Sequence, residues 1–220
     1  MTAVIVQSSE IVTLLGGAPV SRSVLRESLA LGATVVAADS GADLALAAGV
    51  TPAAVIGDLD SLSDAARARI PADRLHRIAE QDSTDFDKAL RHVAAPLVLA
   101  VGFTGQRLDH ELAVYNALVR HADRAAIVVG SADICFHCPP RLRLDLAPGT
   151  RVSLFPMAEL RGEGRGLRWP VDGIAFAPWG RVGTSTAATG PVEMGFGGPG
   201  MLVILPRAAL RPAVRALRRG

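Results

Sequence analysis

Acidic residues cluster at three places in the chain, each directly after a run of apolar residues that predicts a β-strand. The clusters are at 39–43, 58–60 and 80–87. Because ligand sites in open parallel sheets lie beyond the carboxyl ends of the strands, we expect the three clusters to converge at one edge. Converging carboxylates repel one another unless a cation neutralises them, and a set of oxygen ligands suits Mg²⁺, which typically bridges phosphates. The pattern therefore predicts a Mg²⁺ site and phosphate chemistry.

The spacing within the clusters predicts which side chains share a face. Asp58 and Asp60 are two residues apart, so on an extended backbone both carboxylates point the same way. Asp82 and Asp85 share a helical face if Ser83 or Thr84 begins a helix. Lys88, the only lysine in the chain, follows Asp85 by three residues and would lie on that same surface.

Each cluster also has a simpler interpretation. An Asp after a strand is often a helix N-cap, which applies to Asp39 and Asp82. An Asp-x-Asp pair also occurs in nucleotide-sugar glycosyltransferases and in aspartate-nucleophile phosphatases. A phosphatase would need residues like Asp-Gly-Thr after the nucleophile, whereas Ser61-Leu62 follow here.

A fourth segment, 101–110, predicts a strand that ends in a glycine turn opening a helix. Backbone N–H groups at such a turn can bind phosphate oxygens, and Arg107 would add guanidinium donors. The segment matches neither of the two common glycine-rich nucleotide-binding patterns, so an ordinary glycine turn is the alternative interpretation.

Apolar periodicity predicts a parallel sheet covered by helices in the first 132 residues. The predicted strands lie at 11–15, 34–38, 53–56, 96–101 and 125–129, and the predicted helices at 23–31, 42–48, 64–70, 86–93 and 108–121. From about residue 134, glycines and prolines punctuate short alternating segments, which favours an antiparallel sandwich or barrel. The sequence therefore predicts an α/β domain at 1–132 and an all-β sandwich at 133–220.

Composition narrows the class of protein. A net charge of +2 is too balanced to indicate a nucleic-acid partner. No run approaches the roughly 18–20 apolar residues that cross a bilayer, and the first residues lack a signal-peptide layout, so a cytoplasmic location is expected. Cys135 and Cys138 are expected to be ordinary thiols. The segment 207–219, with five arginines, is expected to be a solvated tail or an edge element.

Six segments, taken in order, resemble the thiamine pyrophosphokinase family. Gly57-Asp58-Leu59-Asp60-Ser61 is similar to its Gly-Asp-Phe-Asp-Ser element, and the segment 81–89 is similar to Asp-x-Thr-Asp-x-x-Lys-Ala. The others are Asp39-Ser40-Gly41-Ala42-Asp43, Gly105-Gln106-Arg107-Leu108-Asp109-His110, Gly166-Leu167-Arg168-Trp169-Pro170 and Gly183-Thr184-Ser185-Thr186. The resemblance spans about residues 35–205, and the ordered set is far more specific than any one member.

The resemblance implies a nucleotide-binding α/β domain followed by a β-sandwich, in a homodimer that binds thiamine between the α/β domain of one subunit and the sandwich of the other. It implies that Mg²⁺ is bound by Asp58, Asp60 and Asp85. The remaining implied roles are catalysis by those three residues with Asp82 and Lys88, ATP binding by Asp39, Arg107 and Asp109, and thiamine binding by Gln81, Trp169, Ser185 and Thr186.

The implied activity is transfer of the pyrophosphoryl group of ATP to thiamine, giving thiamine pyrophosphate and AMP. This chain departs from the family pattern at Thr186, where an Asn is usual, and at Ser40 and Asp43, where Gly and Asn are usual. These departures bear on which alcohol accepts the pyrophosphoryl group more than on the transfer reaction itself. The alternatives are a related pyrophosphokinase acting on another alcohol, such as a hydroxymethyl-pterin, and a non-catalytic thiamine sensor.

Overall fold

The structure is a computed structural model and describes residues 3–218 of the chain. The chain divides into two compact units. The first unit comprises the residues up to Ala117 together with Val128–Ser131. The second unit comprises Leu118–Ile127 and the residues from Ala132 onward. Among the described residues, no helix combines the length and the apolar character that spanning a membrane requires.

The first unit is built around a parallel sheet. In chain order, the elements of this part of the chain are β1 (Val6–Gln7), β2 (Val12–Leu15), α1 (Arg22–Leu31), β3 (Thr34–Ala38), α2 (Gly41–Ala47), β4 (Ala54–Gly57), α3 (Asp64–Arg69), β5 (Leu75–Arg77), α4 (Asp85–His92), β6 (Val93–Ala94), β7 (Val98–Val101), α5 (Leu108–Arg120) and β8 (Ala126–Val129). The order β7-β2-β3-β4-β5 is parallel throughout, and β1 and β6 form a separate parallel pair. The carboxyl ends of the five central strands therefore lie at one edge.

These elements form where apolar runs and helix signals place them. Strands β2, β4 and β7 are buried along their whole length, as expected of parallel strands covered on both faces. Ser21, Ser63 and Thr84 are the N-caps of α1, α3 and α4, and each side chain accepts a backbone N–H of the first turn. The five predicted strands and the five predicted helices of this region are all present.

The second unit contains an antiparallel sheet. Its remaining elements are β9 (Asp133–His137), β10 (Leu142–Leu144), β11 (Arg151–Pro156), β12 (Leu160–Leu167), β13 (Ala175–Phe176), β14 (Thr184–Phe196), β15 (Met201–Pro206) and α6 (Leu210–Leu217). The order is β13-β12-β14-β11-β15-β9, and β10 also pairs with β14. Cys135 and Cys138 are free and buried, and burial raises the pKa of each thiol to about 12.

The expectation that the second unit is all β is wrong at its C-terminal end. Helix α6 occupies the arginine-rich segment that was expected to be a tail or an edge element, and it lies against β10. Leu210, Ala213, Val214 and Leu217 are buried along one face of α6. Arg211 and Arg215 fall between these apolar positions and Arg218 follows them, and the charge of these arginines obscured the helical period in the sequence.

Candidate active site

Asp39 lies at the carboxyl end of β3 and is only 3% exposed. Its backbone has a φ of 44°, in the left-handed region that costs a non-glycine residue free energy. Oδ2 accepts the backbone N–H of Ser61 at 3.2 Å, whereas Oδ1 is buried and has no hydrogen-bond partner among the described residues. A strained, buried carboxylate with one uncommitted oxygen is typical of a ligand-binding position.

Asp58 and Asp60 follow β4, but the backbone between them is not extended as expected. Leu59 has a φ of 65°, and its side chain is buried in the apolar cluster beneath this edge of the sheet. That cluster is formed by Ala37, Ala42, Leu46, Val55, Leu59, Leu62, Ala66 and Ile70. Burial of Leu59 offsets the cost of its left-handed backbone, so a sharp turn brings the two carboxylates together.

Three carboxylates form the centre of the site. Asp39, Asp58 and Asp60 each offer an oxygen, and these oxygens all lie within 4.8 Å of one another. Asp85, at the start of α4, lies beside this group: its Oδ1 is 3.5 Å from the Nζ of Lys88. The structure thus adds Asp39 to the predicted pair Asp58 and Asp60, with Asp85 next to these three residues.

Lys88 is the counter-charge of the site. Its side chain is 2% exposed, and Nζ lies 3.8 Å from Asp58 Oδ2 as well as 3.5 Å from Asp85. The predicted face shared by Asp85 and Lys88 is therefore present on α4. One buried ammonium facing several carboxylates leaves the site with an excess of negative charge.

Burial, hydrogen bonds and neighbouring charges together shift the pKa values of the carboxyl groups at the site. Burial raises the pKa of Asp39 to about 6; the Ser61 N–H opposes this rise, while the charges of Asp85, Asp58 and Asp60 add to it. Burial also raises the pKa of Asp85, although the Lys88 ammonium opposes the rise. For Asp58, burial acts upward, but hydrogen bonds from Gln81 and Asp60 together with the charge of Lys88 hold the pKa below its usual range.

The loop between β5 and α4 carries three more residues of interest. Gln81 donates from Nε2 to Asp58 Oδ2 at 3.1 Å, and Asp82 is exposed, outside the carboxylate group. The sequence predicted no role for Glu80, the first acid of the cluster at 80–87. Its carboxylate accepts the backbone N–H of Asp82 at 2.8 Å and forms an ion pair with Arg91. The signal in the sequence was its position in an acidic cluster of which only the aspartates were considered as site residues.

A cavity of about 260 Å³ adjoins the carboxylates. It is lined by Asp39, Asp85, Arg107 and His110 and by two glycine turns, Gly16-Gly17 after β2 and Gly102-Phe103 after β7. The turn at Gly16-Gly17 was also missed, although its position after a buried strand was a usable signal. Glycine is required there, because a Cβ on Gly16 would lie 2.4 Å from the carbonyl oxygen of Gly102.

Arg107 and Asp109 lie at the start of α5 and pair with each other. Arg107 donates from Nη2 to Asp109 Oδ2 at 2.7 Å and from Nε to Oδ1 at 3.2 Å. Both side chains are exposed, and Arg107 holds the pKa of Asp109 at about 2. The structure brings Arg107 to the cavity, but not Asp109.

The two family departures near Asp39 differ in their surroundings. Ser40 lines the cavity, and its Oγ lies so near Gly17 that a Cβ there would be 2.1 Å away. Asp43 is turned toward α3, where its Oδ1 accepts the hydroxyl of the N-cap Ser63 at 2.5 Å. Only Ser40 therefore changes the lining of the cavity.

The predicted thiamine-binding residues of the second unit lie near one another. Trp169 is 54% exposed, with the Arg168 guanidinium 4.8 Å from the ring centroid. A core position for this tryptophan is therefore excluded. Thr186 is buried, and its Oγ1 accepts the backbone N–H of Trp169 at 3.0 Å; Ser185 is exposed, with its Oγ 3.4 Å from that of Ser153. Thr186 thus holds the backbone of Trp169 rather than presenting its hydroxyl to solvent.

The residues of the first unit fit a divalent cation. The donor set is all oxygen, which suits Mg²⁺, and the buried Asp39 Oδ1 lacks the partner that a buried carboxylate oxygen requires. The site thus joins, in an α/β protein, a group of carboxylates that could hold a divalent cation and a glycine-lined cavity of a kind that can accept phosphate groups.

Comparison with known proteins gives a match to one family. Residues 26–129 match the family described as "Thiamin pyrophosphokinase, catalytic domain". The match covers a little less than half of the chain and is to the same family that the sequence motifs resemble. No curated protein matches the chain.

Solved structures of thiamin pyrophosphokinases share the fold of this chain. Thiamin pyrophosphokinase from Geobacillus thermodenitrificans is 24% identical, with 89% of this chain and 96% of that chain covered and a TM-score of 0.73. The enzyme from Candida albicans is 14% identical over 91% and 92%, with a TM-score of 0.76. The enzyme from Bacillus subtilis is 20% identical over 90% and 98%, with a TM-score of 0.71.

Proposed function

We propose that this protein is a thiamine pyrophosphokinase, which transfers the pyrophosphoryl group of ATP to the hydroxyl group of thiamine. One observation carries the proposal. The oxygens of Asp39, Asp58 and Asp60 gather beside a glycine-lined cavity, within the segment that matches the catalytic domain of this family. A kinase that handles a highly charged phosphate substrate needs such a combination of cation site and phosphate cradle.

Asp58, Asp60 and Asp85 would hold Mg²⁺, and Asp39 would add its free Oδ1. When bound, the cation would supply positive charge that offsets the charge of the phosphates. Lys88 would then balance the remaining carboxylate charge, because its ammonium already faces both Asp58 and Asp85. ATP would enter the cavity between the two glycine turns, with Arg107 at its edge.

The transfer forms one bond and breaks one bond. The hydroxyl oxygen of thiamine bonds to the β-phosphorus, the bond from that phosphorus to the α–β bridging oxygen breaks, and AMP leaves. The hydroxyl proton needs an acceptor, for which Asp82 and Asp85 are the candidates.

Thiamine would be bound by Gln81 from one subunit and by Trp169, Ser185 and Thr186 from the second unit of the partner subunit in a homodimer. The exposed indole of Trp169 supports this assignment, since an aromatic face is suited to stack on the cationic ring of thiamine. Thr186 would act by holding the backbone of Trp169. A cytoplasmic location is part of the same proposal.

The test is the formation of AMP from ATP, with thiamine or a hydroxymethyl-pterin as the acceptor and Mg²⁺ present. We expect AMP and thiamine pyrophosphate with thiamine only. Asp60→Asn should abolish turnover and leave the unfolding transition unchanged, whereas the surface variant Asp73→Asn should retain full activity. AMP formed only with the pterin would support the alternative kinase, and thiamine binding without AMP would support the sensor.

A further inference from the structure

We propose that Glu80 is a positioning residue that, through Gln81, fixes the carboxylate of Asp58 in the candidate metal site. This inference rests on the proposed function, because Asp58 is assigned there to the divalent cation. Neither Glu80 nor a contact between Gln81 and Asp58 was expected from the sequence. The resemblance assigns Gln81 to thiamine alone.

Both carboxylate oxygens of Glu80 are committed to the loop that carries Gln81. Oε2 accepts the backbone N–H of Asp82 at 2.8 Å, and Oε1 accepts the hydroxyl of Ser83 at 2.5 Å. The guanidinium of Arg91, in the last turn of α4, forms an ion pair with the same Oε1. Glu80 thereby joins the two residues after Gln81 to the helix that carries Asp85 and Lys88.

These contacts keep Glu80 ionised. The Ser83 hydroxyl and Arg91 lower the pKa of the Glu80 carboxyl to about 2, despite the opposing effect of burial. A glutamine at this position would offer one acceptor oxygen rather than two, and its NH₂ group would face the donors of Arg91. The amide is therefore not an adequate replacement for the carboxylate.

Gln81 transmits this arrangement to the site. Its Nε2 donates to Asp58 Oδ2, while the other oxygen of Asp58 accepts the backbone N–H of Asp60 at 3.2 Å. Each oxygen of Asp58 thus has one donor that fixes the plane of the carboxylate. Groups that orient a metal-binding carboxylate typically change metal affinity by about 10- to 100-fold when they are removed.

The experiment measures Mn²⁺ binding by the substrate-free protein from the electron paramagnetic resonance signal of the free ion. The variants are Glu80→Gln, Gln81→Leu and the double variant, with the exposed Glu159→Gln as a matched control. We expect each single variant to weaken Mn²⁺ binding by about tenfold or more. The double variant should bind no more weakly than the weaker-binding single variant, because both residues act through the same contact.

Three outcomes would overturn the proposal. The first is unchanged Mn²⁺ affinity in a folded Gln81→Leu protein, which is the stricter test because Gln81 is exposed and its loss does not threaten folding. The second is an additive effect in the double variant. The third is a loss of affinity in Glu80→Gln that matches a general loss of stability, measured from the urea unfolding transition in EDTA.

The outcome is separable from that of the proposed function. If the wild-type protein produces no AMP from ATP and thiamine but the variants lose Mn²⁺ affinity as expected, the activity is wrong and the positioning role is supported. If the wild-type protein produces AMP and Glu80→Gln binds Mn²⁺ normally, the activity is supported and the positioning role is overturned.

Discussion

Asp39 combines a left-handed backbone, near-complete burial and one oxygen that no described residue contacts. In a metal-free protein, this carboxyl group opposes folding once it is ionised. Its folded pKa of about 6 lies above the ordinary value of 3.8, so the folded state binds the proton more tightly than the unfolded state. The free energy of unfolding should therefore fall as the pH rises from about 4 to 6, by up to about 3 kcal/mol.

Asp39→Asn should remove this pH dependence. In EDTA, we expect the variant to gain stability relative to the wild type as the pH rises through that window, with no further gain above it. Urea unfolding of both proteins at about pH 4, 5, 6 and 7 measures the difference in stability, because these pH values span the unfolded and folded pKa values of Asp39. A constant difference between the two proteins would show that Asp39 titrates alike in the folded and unfolded states. With Mn²⁺ added, the order should reverse, because the variant lacks a ligand oxygen.

Lys88→Met removes the counter-charge at the same site. The methionine fills the buried volume, but Asp58 and Asp85 lose their common partner. Because both carboxylates keep some contact with solvent, we expect a loss of about 1–3 kcal/mol in EDTA, less than for a fully buried pair. Urea unfolding measures it, with Arg211→Met on the exposed face of α6 as the control. An equal loss with Met at both positions would contradict the assigned role.

At the level of residues, the sequence predicted the gathering of the carboxylates because strand ends can be located from apolar periodicity. It did not predict the turn at Leu59, because a positive φ at a leucine depends on the buried cluster beneath it. The hydrogen bond from Gln81 to Asp58 and the partners of Glu80 could not be predicted either, because these contacts depend on the path of a loop. Loop paths carry no period in the sequence.

Among the elements, α2 lies unusually close to the end of β2. A Cβ on Gly41, the first residue of α2, would be 2.0 Å from the carbonyl oxygen of Leu15. Gly41→Ala should push α2 away from the turn at Gly16-Gly17, which destabilises the fold and weakens ATP binding. We expect a stability loss of about 1–3 kcal/mol, as for other overpacked positions.

The control for this prediction is Gly197→Ala, because the nearest atom to a Cβ there is 3.6 Å away. Thermal unfolding gives the stability of both variants, and equilibrium dialysis with ATP gives the affinity. If Gly41→Ala has the stability and the ATP affinity of the wild type, α2 is not held against the end of β2 as described.

Helix α6 should contribute to stability through its apolar face. Leu210 is fully buried, so Leu210→Ala should cost about 2–5 kcal/mol, whereas Arg211→Ala, on the exposed face, should change stability by less than about 0.5 kcal/mol. Urea unfolding of the two variants tests this directly. Similar losses of stability in Leu210→Ala and Arg211→Ala would support the original expectation that this segment is a solvated tail.

The elements of the first unit were the most predictable part of the fold, because continuous apolar strands and amphipathic helices alternate there. The short strands β1, β5 and β6 were missed, since two or three residues do not establish a period. Helix α6 was missed although its apolar residues do follow a helical period, because the segment was interpreted from its high arginine content alone.

For the molecule as a whole, the proposed homodimer can be tested by measuring the mass in solution. Trp169, Trp179, Phe155 and Val182 expose large apolar side chains in the second unit, a pattern typical of surfaces that a partner covers. We expect sedimentation equilibrium to give twice the chain mass of 22.9 kDa. The variant Trp179→Ser, which exposes less apolar surface, should weaken association, whereas Asp73→Asn should not. A wild-type monomer at micromolar concentration would contradict the proposed dimer.

Lys88 gives this molecule a chemical property that follows from composition and burial together. Apart from the α-amino group, the chain has a single primary amine, and that amine is enclosed at the start of α4. An acylating reagent selective for amines would modify Lys88 only when the structure around its side chain opens. The rate of modification would therefore report how often that opening occurs. Mass spectrometry could follow the reaction without an engineered probe, since no other side chain would compete for the label.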